Sequence, residues 1–235
     1  ATLGEHLTDV GICAQALDKG EEARLLYRES LLLSRKQGDK RGIAIMLVNL
    51  GEMERAGGNY ELARTLYVEA LELARELEDR WGIGMVLHNL GHVASHMKEH
   101  DYAWDLFTES LSIFHELGNK RDIAYGIAAL GGLYGARGEA GRAATLFAAS
   151  EALQNTISTH LDPADQVEYE RNLAETRAQL SDWEWERSWE RGQLMSVERA
   201  VQFALEPAQE NGFSGRLDRA GRRDALLRFG FGYHF

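Results

Sequence analysis

Displaced along itself by the interval from Gly11 to Gly51, the chain matches its own sequence without a gap. Gly11, Gly51, Gly91 and Gly131 fall in register, each preceded by an aliphatic residue (Val10, Leu50, Leu90, Leu130). Ala23, Ala63, Ala103 and Ala143 align, as do Leu26, Leu66, Leu106 and Leu146. So do the aromatics Tyr27, Tyr67, Phe107 and Phe147 and the small residues Ser30, Ala70, Ser110 and Ser150. Such a period marks stacked copies of one supersecondary unit, since a single unit cannot bury both of its faces. Within the second copy the spacing is helical. Ile43, Leu47, Leu50, Gly51 and Glu54 form one stripe, Gly57-Gly58-Asn59 breaks it, and Ala63, Leu66, Tyr67, Ala70, Ala74 and Leu77 form the next. Small residues at the Gly51 and Ala63 positions predict close approach of two antiparallel helices. The large residues beside them are suited to filling the space between hairpins. The expected fold is all-α, an α-solenoid with four helix pairs over residues 2–161.

Composition narrows the function classes. With 44% hydrophobic and 27% charged residues the chain can bury a core. The formal charge is −11, and the acid lies in the body. After Glu206 the tail is basic, with Arg216, Arg219, Arg222, Arg223 and Arg228 against Glu210, Asp218 and Asp224. An acidic body is repelled by a phosphate backbone, so no direct nucleic-acid contact is expected from it. No apolar run is long enough for a membrane span, and the N-terminus lacks the pattern of a signal peptide. The chain opens without Met and inside a repeat, which points to a segment of a longer protein. One cysteine, Cys13, rules out an internal disulfide and suits a cytoplasmic, reducing setting. Its slot in the repeat predicts a buried thiol. The two prolines, Pro163 and Pro207, leave long helices uninterrupted.

The Leu-Gly, Ala, aromatic and Ala landmarks resemble the tetratricopeptide repeat. That resemblance implies a right-handed superhelix with ligands along a concave face lined by the first helix of each pair. The usual period is about 34 residues. The longer period here resembles a variant found in bacterial signalling regulators. Beyond residue 161 the register loosens. Asp162-Pro163 suits a helix start, with a helix expected over 164–180. Ser181 and Ser196 are read as caps of two more helices, and Gly192 as a stop. Residues 162–206 are therefore read as an irregular fifth pair and a capping helix. Tyr169-Glu170-Arg171, Trp185 to Trp189, and Met195 through Glu206 are similar to the end of the repeat region in LuxR-, MalT- and AfsR-like bacterial ATPase regulators. The resemblance implies a sensor or interaction region of a transcription or signalling regulator. No P-loop is present, and residues 207–235 do not look like a helix-turn-helix. That tail, with its apolar ending, reads as a linker, a flexible end or a segment that docks in a groove.

Carried over by register, the candidate ligand groove comprises Ile45, Val48, Asn49, Glu52 and Arg55 from the second copy. Met85, His88, Asn89, His92 and His96 come from the third, and Tyr125, Ala128 and Ala129 from the fourth. Asn49 and Asn89 share one slot of successive copies. A side-chain amide offers a donor and an acceptor, so the pair suits an extended peptide backbone, or else water and neighbouring loops. Relatives that clamp a C-terminal carboxylate use several basic residues there. Arg55 alone does not suggest that clamp. His88, His92, His96 and His100 recur every fourth residue, but drift of about 40° per step keeps them from converging on one metal ion. Trp185 and Trp189 suit packing of the closing helices. No catalytic signature such as G-x-S-x-G, H-E-x-x-H or C-x-x-C occurs. The expectation is a non-enzymatic module without cofactor or metal. It either holds a protein or peptide on the concave face or drives self-association of its parent.

Overall fold

A computed structural model describes residues 3–17, 19–159 and 163–207. The tail from residue 208 and the expected cap Asp162 lie outside the described residues. Eleven helices and no strand occur among the described residues. They run α1 (Leu3–Ala16), α2 (Gly20–Gln37), α3 (Lys40–Ala56), α4 (Tyr60–Glu76), α5 (Arg80–His96), α6 (His100–Leu117), α7 (Lys120–Ala136), α8 (Ala140–Ile157), α9 (Pro163–Arg177), α10 (Asp182–Gln193) and α11 (Val197–Leu205). The described residues as far as Leu205 form one compact unit.

The turns explain why the helices stop where they do. Backbone with positive φ recurs at even intervals, at Gly38, Gly58, Glu78, Lys98, Gly118, Gly138 and Ser158. At each of these turns the amide of the following residue reaches back to a carbonyl five positions earlier, as in Asp39 to Ser34 and Asn59 to Glu54. This satisfies a terminal carbonyl that the helix leaves open. At the entry to the first helices of pairs two, three and four, Asp39, Asp79 and Asn119 accept from the amides of Gly42, Gly82 and Asp122. These caps recur with the same period as the glycine column.

Each consecutive pair from α1–α2 to α7–α8 is a hairpin, and each second helix packs on the next first helix. The first helices also touch one another, α1 to α3, α3 to α5 and α5 to α7. That row is the inner face of the stack. The repeat columns do what their sizes require. Tyr27, Tyr67 and Phe107 lie so near Gly11, Gly51 and Gly91 that an added Cβ would fall 2.5 Å from a ring carbon. Gly131 is looser, with nothing nearer than 3.4 Å. Ser110 and Ser150 donate to the carbonyls of Gly84 and Ala124, tying second helix to first within two hairpins.

The first hairpin departs from the sequence expectation. Cys13 is exposed, not buried, as are Val10 and Ile12, each 51% exposed. The slots of Val10 and Cys13 are ones that a preceding hairpin covers in the later copies, where Leu50, Leu90 and Val93 are buried and Met53 packs on the first hairpin. Ile12 shares its slot with Glu52 and His92 of the inner face.

The C-terminal helices do not continue the stack regularly. α9 packs on α7 and α8, α10 on α8, and α11 on α6, α7 and α8. Ser181 and Glu184 form a capping box for α10, and Ser196 accepts from the amide of Arg199 at the start of α11. Gly192 is not merely a stop. It lies in the last turn of α10, buried against the carbonyl of Thr145 and the methyl of Ala148. Arg142 stacks between the rings of Tyr134 and Phe203, 4.2 and 4.9 Å away, and donates to the Phe203 carbonyl, fixing α11. Trp185 and Trp189 stack on each other at 4.9 Å.

Candidate functional site

The inner face is built from one side of α3, α5 and α7. Helical spacing puts Ile45, Val48, Asn49, Glu52 and Arg55 on that side of α3. In the same way Met85, His88, Asn89, His92 and His96 line α5, and Tyr125, Ala128 and Ala129 line α7. The structure divides them into two groups. Ile45 is exposed, and Val48, Asn49, Glu52 and Met85 are partly so. Arg55, His88, Asn89, His92 and Tyr125 are buried, and His96 is partly buried. Asn89 Nδ2 lies 3.5 Å from Glu52 Oε1, whereas Asn49 Nδ2 has no hydrogen-bond partner.

Arg55, His92 and His96 are met by side chains of α9, the element the sequence did not connect with them, while the rings of Phe107 and Phe114 on α6 cover His88. α9 crosses the C-terminal ends of α3, α5 and α7. Asn172 rests on Gly132 of α7 and Thr176 on Gly135, where an added Cβ would fall 2.7 and 2.5 Å from their side chains. Gln179, just beyond α9, donates to the Gly135 carbonyl. The Tyr169 ring meets Phe147 edge-on at 5.2 Å. At the other end, Arg55 Nη2 donates to Asp165 Oδ1 at 2.8 Å and Nη1 to Glu168 Oε2 at 3.2 Å. His92 Nδ1 lies 3.1 Å from Glu168 Oε1, and His96 Nε2 lies 3.3 Å from Oε2. Arg171 stands 3.8 Å from Glu168 on α9 itself.

One tautomer assignment satisfies every ring nitrogen of this cluster but one. His88 Nε2–H donates to His92 Nε2 across 3.1 Å, and His92 Nδ1–H donates to Glu168. His96 Nε2–H donates to the other carboxylate oxygen, and the Tyr60 hydroxyl donates to His96 Nδ1 at 3.2 Å. The Tyr60 ring also stacks on His96 at 4.6 Å. His88 Nδ1 is then an acceptor without a partner.

The electrostatics follow from burial and pairing. His88, 3% exposed, is pushed down to about 3 by burial and by its neighbour His92. Burial alone would raise Asp165, but His92 and Arg55 hold it below the usual carboxylate range. Glu168 is likewise lowered, because His92 and His96 outweigh its burial. Burial raises the Tyr169 hydroxyl.

The space left between α5, α7 and α9 is a cavity of about 20 Å³ lined by His88, His92, Tyr125, Asp165, Glu168 and Tyr169, among others. That is room for about one water molecule and for no metabolite. A carboxylate–imidazole–imidazole chain can orient protons, but the described residues that line this cavity include no Ser, Thr or Cys to act as a nucleophile. Among the described residues no group of three or more His, Cys, Asp and Glu is arranged to hold a metal ion. No helix among them is long and apolar enough to cross a membrane.

Sequence reasoning missed Asp165, Glu168, Tyr169, Asn172 and Thr176 as partners of the inner face. A signal was present. α7 carries Gly126, Gly131, Gly132 and Gly135, and interior glycines each cost a helix roughly 1 kcal/mol. Such density implies neighbours at close approach, and Gly132 and Gly135 prove to be the seat of α9.

Comparison with known proteins bears on the fold. No curated protein matches the chain. The crystal structure of BtubC (BKLC) from P. vanneervenii is similar, with a TM-score of 0.62 over 92% of this chain and 87% of that one, at 20% identity. This likeness concerns the fold alone. Tetratricopeptide repeats generally mediate protein–protein interaction, and such folds are typically non-catalytic scaffolds. Residues 3–77 match the tetratricopeptide repeat family, and the hairpin stack that continues from them is a tetratricopeptide-like helical solenoid.

Proposed function

We propose that the chain is a protein- or peptide-binding repeat scaffold that takes its partner on the inner face. It serves as the sensor or interaction region of a bacterial transcription or signalling regulator in the cytoplasm. The observation that carries the binding reading is the pair Asn49 and Asn89 at one repeat position. Asn49 stands partly exposed beside the exposed Ile45 and the partly exposed Val48, Glu52 and Met85, with a buried amide nitrogen that lacks a partner, while Asn89 is buried 3.5 Å from Glu52. An amide donor of this kind suits the carbonyls of an extended backbone. The regulator setting is supported by the resemblance of 169–206 to the closing segment of such repeat regions. The test is capture of a partner by the chain, repeated with N49A/N89A. Loss of capture with an unchanged thermal midpoint supports the inner face as the contact. Capture that the double variant leaves intact refutes it.

A second reading has its own observation. Val10, Ile12 and Leu17 leave an apolar rim on the first hairpin, which suits self-association of the parent protein. Light scattering separates the two readings, since a monomer at high concentration counts against assembly through that rim.

A further inference from the structure

We infer that α9 is an internal ligand of the inner face, and that an outside partner of this face is an acidic helical segment that takes its place. This deepens the proposed function and rests on its reading of the inner face as the partner surface.

α9 is held differently from the eight helices before it. Those bury an apolar stripe. α9 has Glu168 and Thr176 as its buried side chains among those described, while Val167 points outward at 70% exposure. Its attachment is a polar stripe at helical spacing: Asp165, Glu168, Tyr169, Asn172 and Thr176. The acids meet Arg55, His92 and His96, the tyrosine meets Phe147, and the last two meet bare glycines of α7. This stripe states what the face recognises: two carboxylates one turn apart, an aromatic beside the second, then small polar residues.

Charge supports the same partner. On a chain of net charge −11, the guanidinium of Arg55 sits with two imidazoles on the inner face. With α9 lifted away, that guanidinium loses both of its carboxylates, and a helix that covers it again without carboxylates would leave a buried charge unpaired, which is costly. The face therefore selects an acidic replacement and disfavours a basic or apolar one. A helix held by polar contacts, with little apolar burial, belongs to the low-stability end of a structure and opens more readily than the core. Its covalent attachment gives it a high local concentration, so an outside helix must carry the same pattern to compete.

The test uses the full chain and a fluorescein-labelled synthetic peptide with the sequence of residues 163–177, read by fluorescence anisotropy. In the D165N/E168Q chain the internal helix has lost its carboxylates. Amide exchange over 163–177 should accelerate, and the peptide should bind about tenfold more tightly than to the wild-type chain. Adding R55Q to that chain should abolish the gain. Equal affinity for wild type and D165N/E168Q, or a gain that survives R55Q, overturns the inference. Should the double variant fail to melt cooperatively, E168Q alone, which keeps the side-chain shape, must show the same direction of change, and no change there overturns it equally. The probe is the chain's own helix, so the outcome is independent of any captured partner. If the opened face takes the peptide but N49A/N89A leaves partner capture intact, α9 is still the internal ligand of this face, while the proposed function and the outside acidic partner both fail.

Discussion

Replacing Gly91 by alanine tests the packing rule that generates the whole stack. The added methyl would lie 2.5 Å from Cε1, 2.6 Å from Cδ1 and 2.9 Å from Cζ of Phe107. Non-bonded carbons prefer roughly 3.5–4.0 Å, so the ring must retreat by about 1 Å. It has little room to do so. Phe107 is 1% exposed and is met edge-on by His88 at 5.6 Å and His92 at 5.1 Å. Overpacking of this kind costs about 1–3 kcal/mol, offset by about 1 kcal/mol from the better helix propensity of alanine. The net expectation is a loss of up to about 2 kcal/mol. Gly131 provides the control. The same methyl there meets Leu146 and Phe147 at 3.4 Å, so the propensity gain survives and stability holds or rises by up to about 1 kcal/mol. Urea melts with slopes of about 2 kcal/mol/M should separate the two midpoints by about 1 M, with G91A lower. The two sites occupy adjacent hairpins, so coupling between repeats affects them similarly. A G91A midpoint at or above that of G131A would refute the account of the glycine column.

Two further outcomes follow from the groove and the closing helix. His88 is held down at about 3 and Asp165 and Glu168 are lowered, so below pH about 6.5 the unfolded chain binds protons that the folded chain does not. Stability is therefore complete above that pH and falls on acidification, each differing proton contributing about 1.4 kcal/mol per pH unit. Thermal midpoints between pH 7 and 5 should drop less steeply for H88F, and identical slopes would exclude His88 as a contributor. Arg142→Lys keeps the charge but loses the planar stack between Tyr134 and Phe203, at a cost of about 1–2 kcal/mol. Amide exchange over 197–205 should accelerate, and unchanged protection would show that α11 is held otherwise.

The stack was legible because its rules are local. Gly51 and Tyr67 belong to consecutive helices and meet in one hairpin, so a glycine faces an aromatic ring at a fixed spacing that recurs in every copy. The caps at Asp39, Asp79 and Asn119 repeat for the same reason. α9 obeys no period. Arg55 meets Asp165 from a distant part of the chain, and a charge gives no sign in sequence of which opposite charge it will find. Arg55 was readable as a groove residue but not as the clamp on two side-chain carboxylates that it becomes. The His88–His96 run was readable as one helical face, while Glu168, which organises it, comes from a helix that sequence placed only in a terminal pair. Cys13 failed for a different reason. A column average assigns every copy the burial of the middle ones, and among the described residues no hairpin lies on the outer side of the first copy.

The left-handed turns bear on how such a stack can bend. One corner is made with glycine at 38 and 118 and with Glu78 and Ser158 at the equivalent places, and the other with Gly58 and Gly138 against Lys98. A bulky residue accepts this backbone only under compulsion, at a cost of about 1–2 kcal/mol. The compulsion comes from the helices on either side. The angle between neighbouring hairpins is thus written into their contacting surfaces. A change at a corner residue should alter how firmly the solenoid holds together while leaving its curvature as it was.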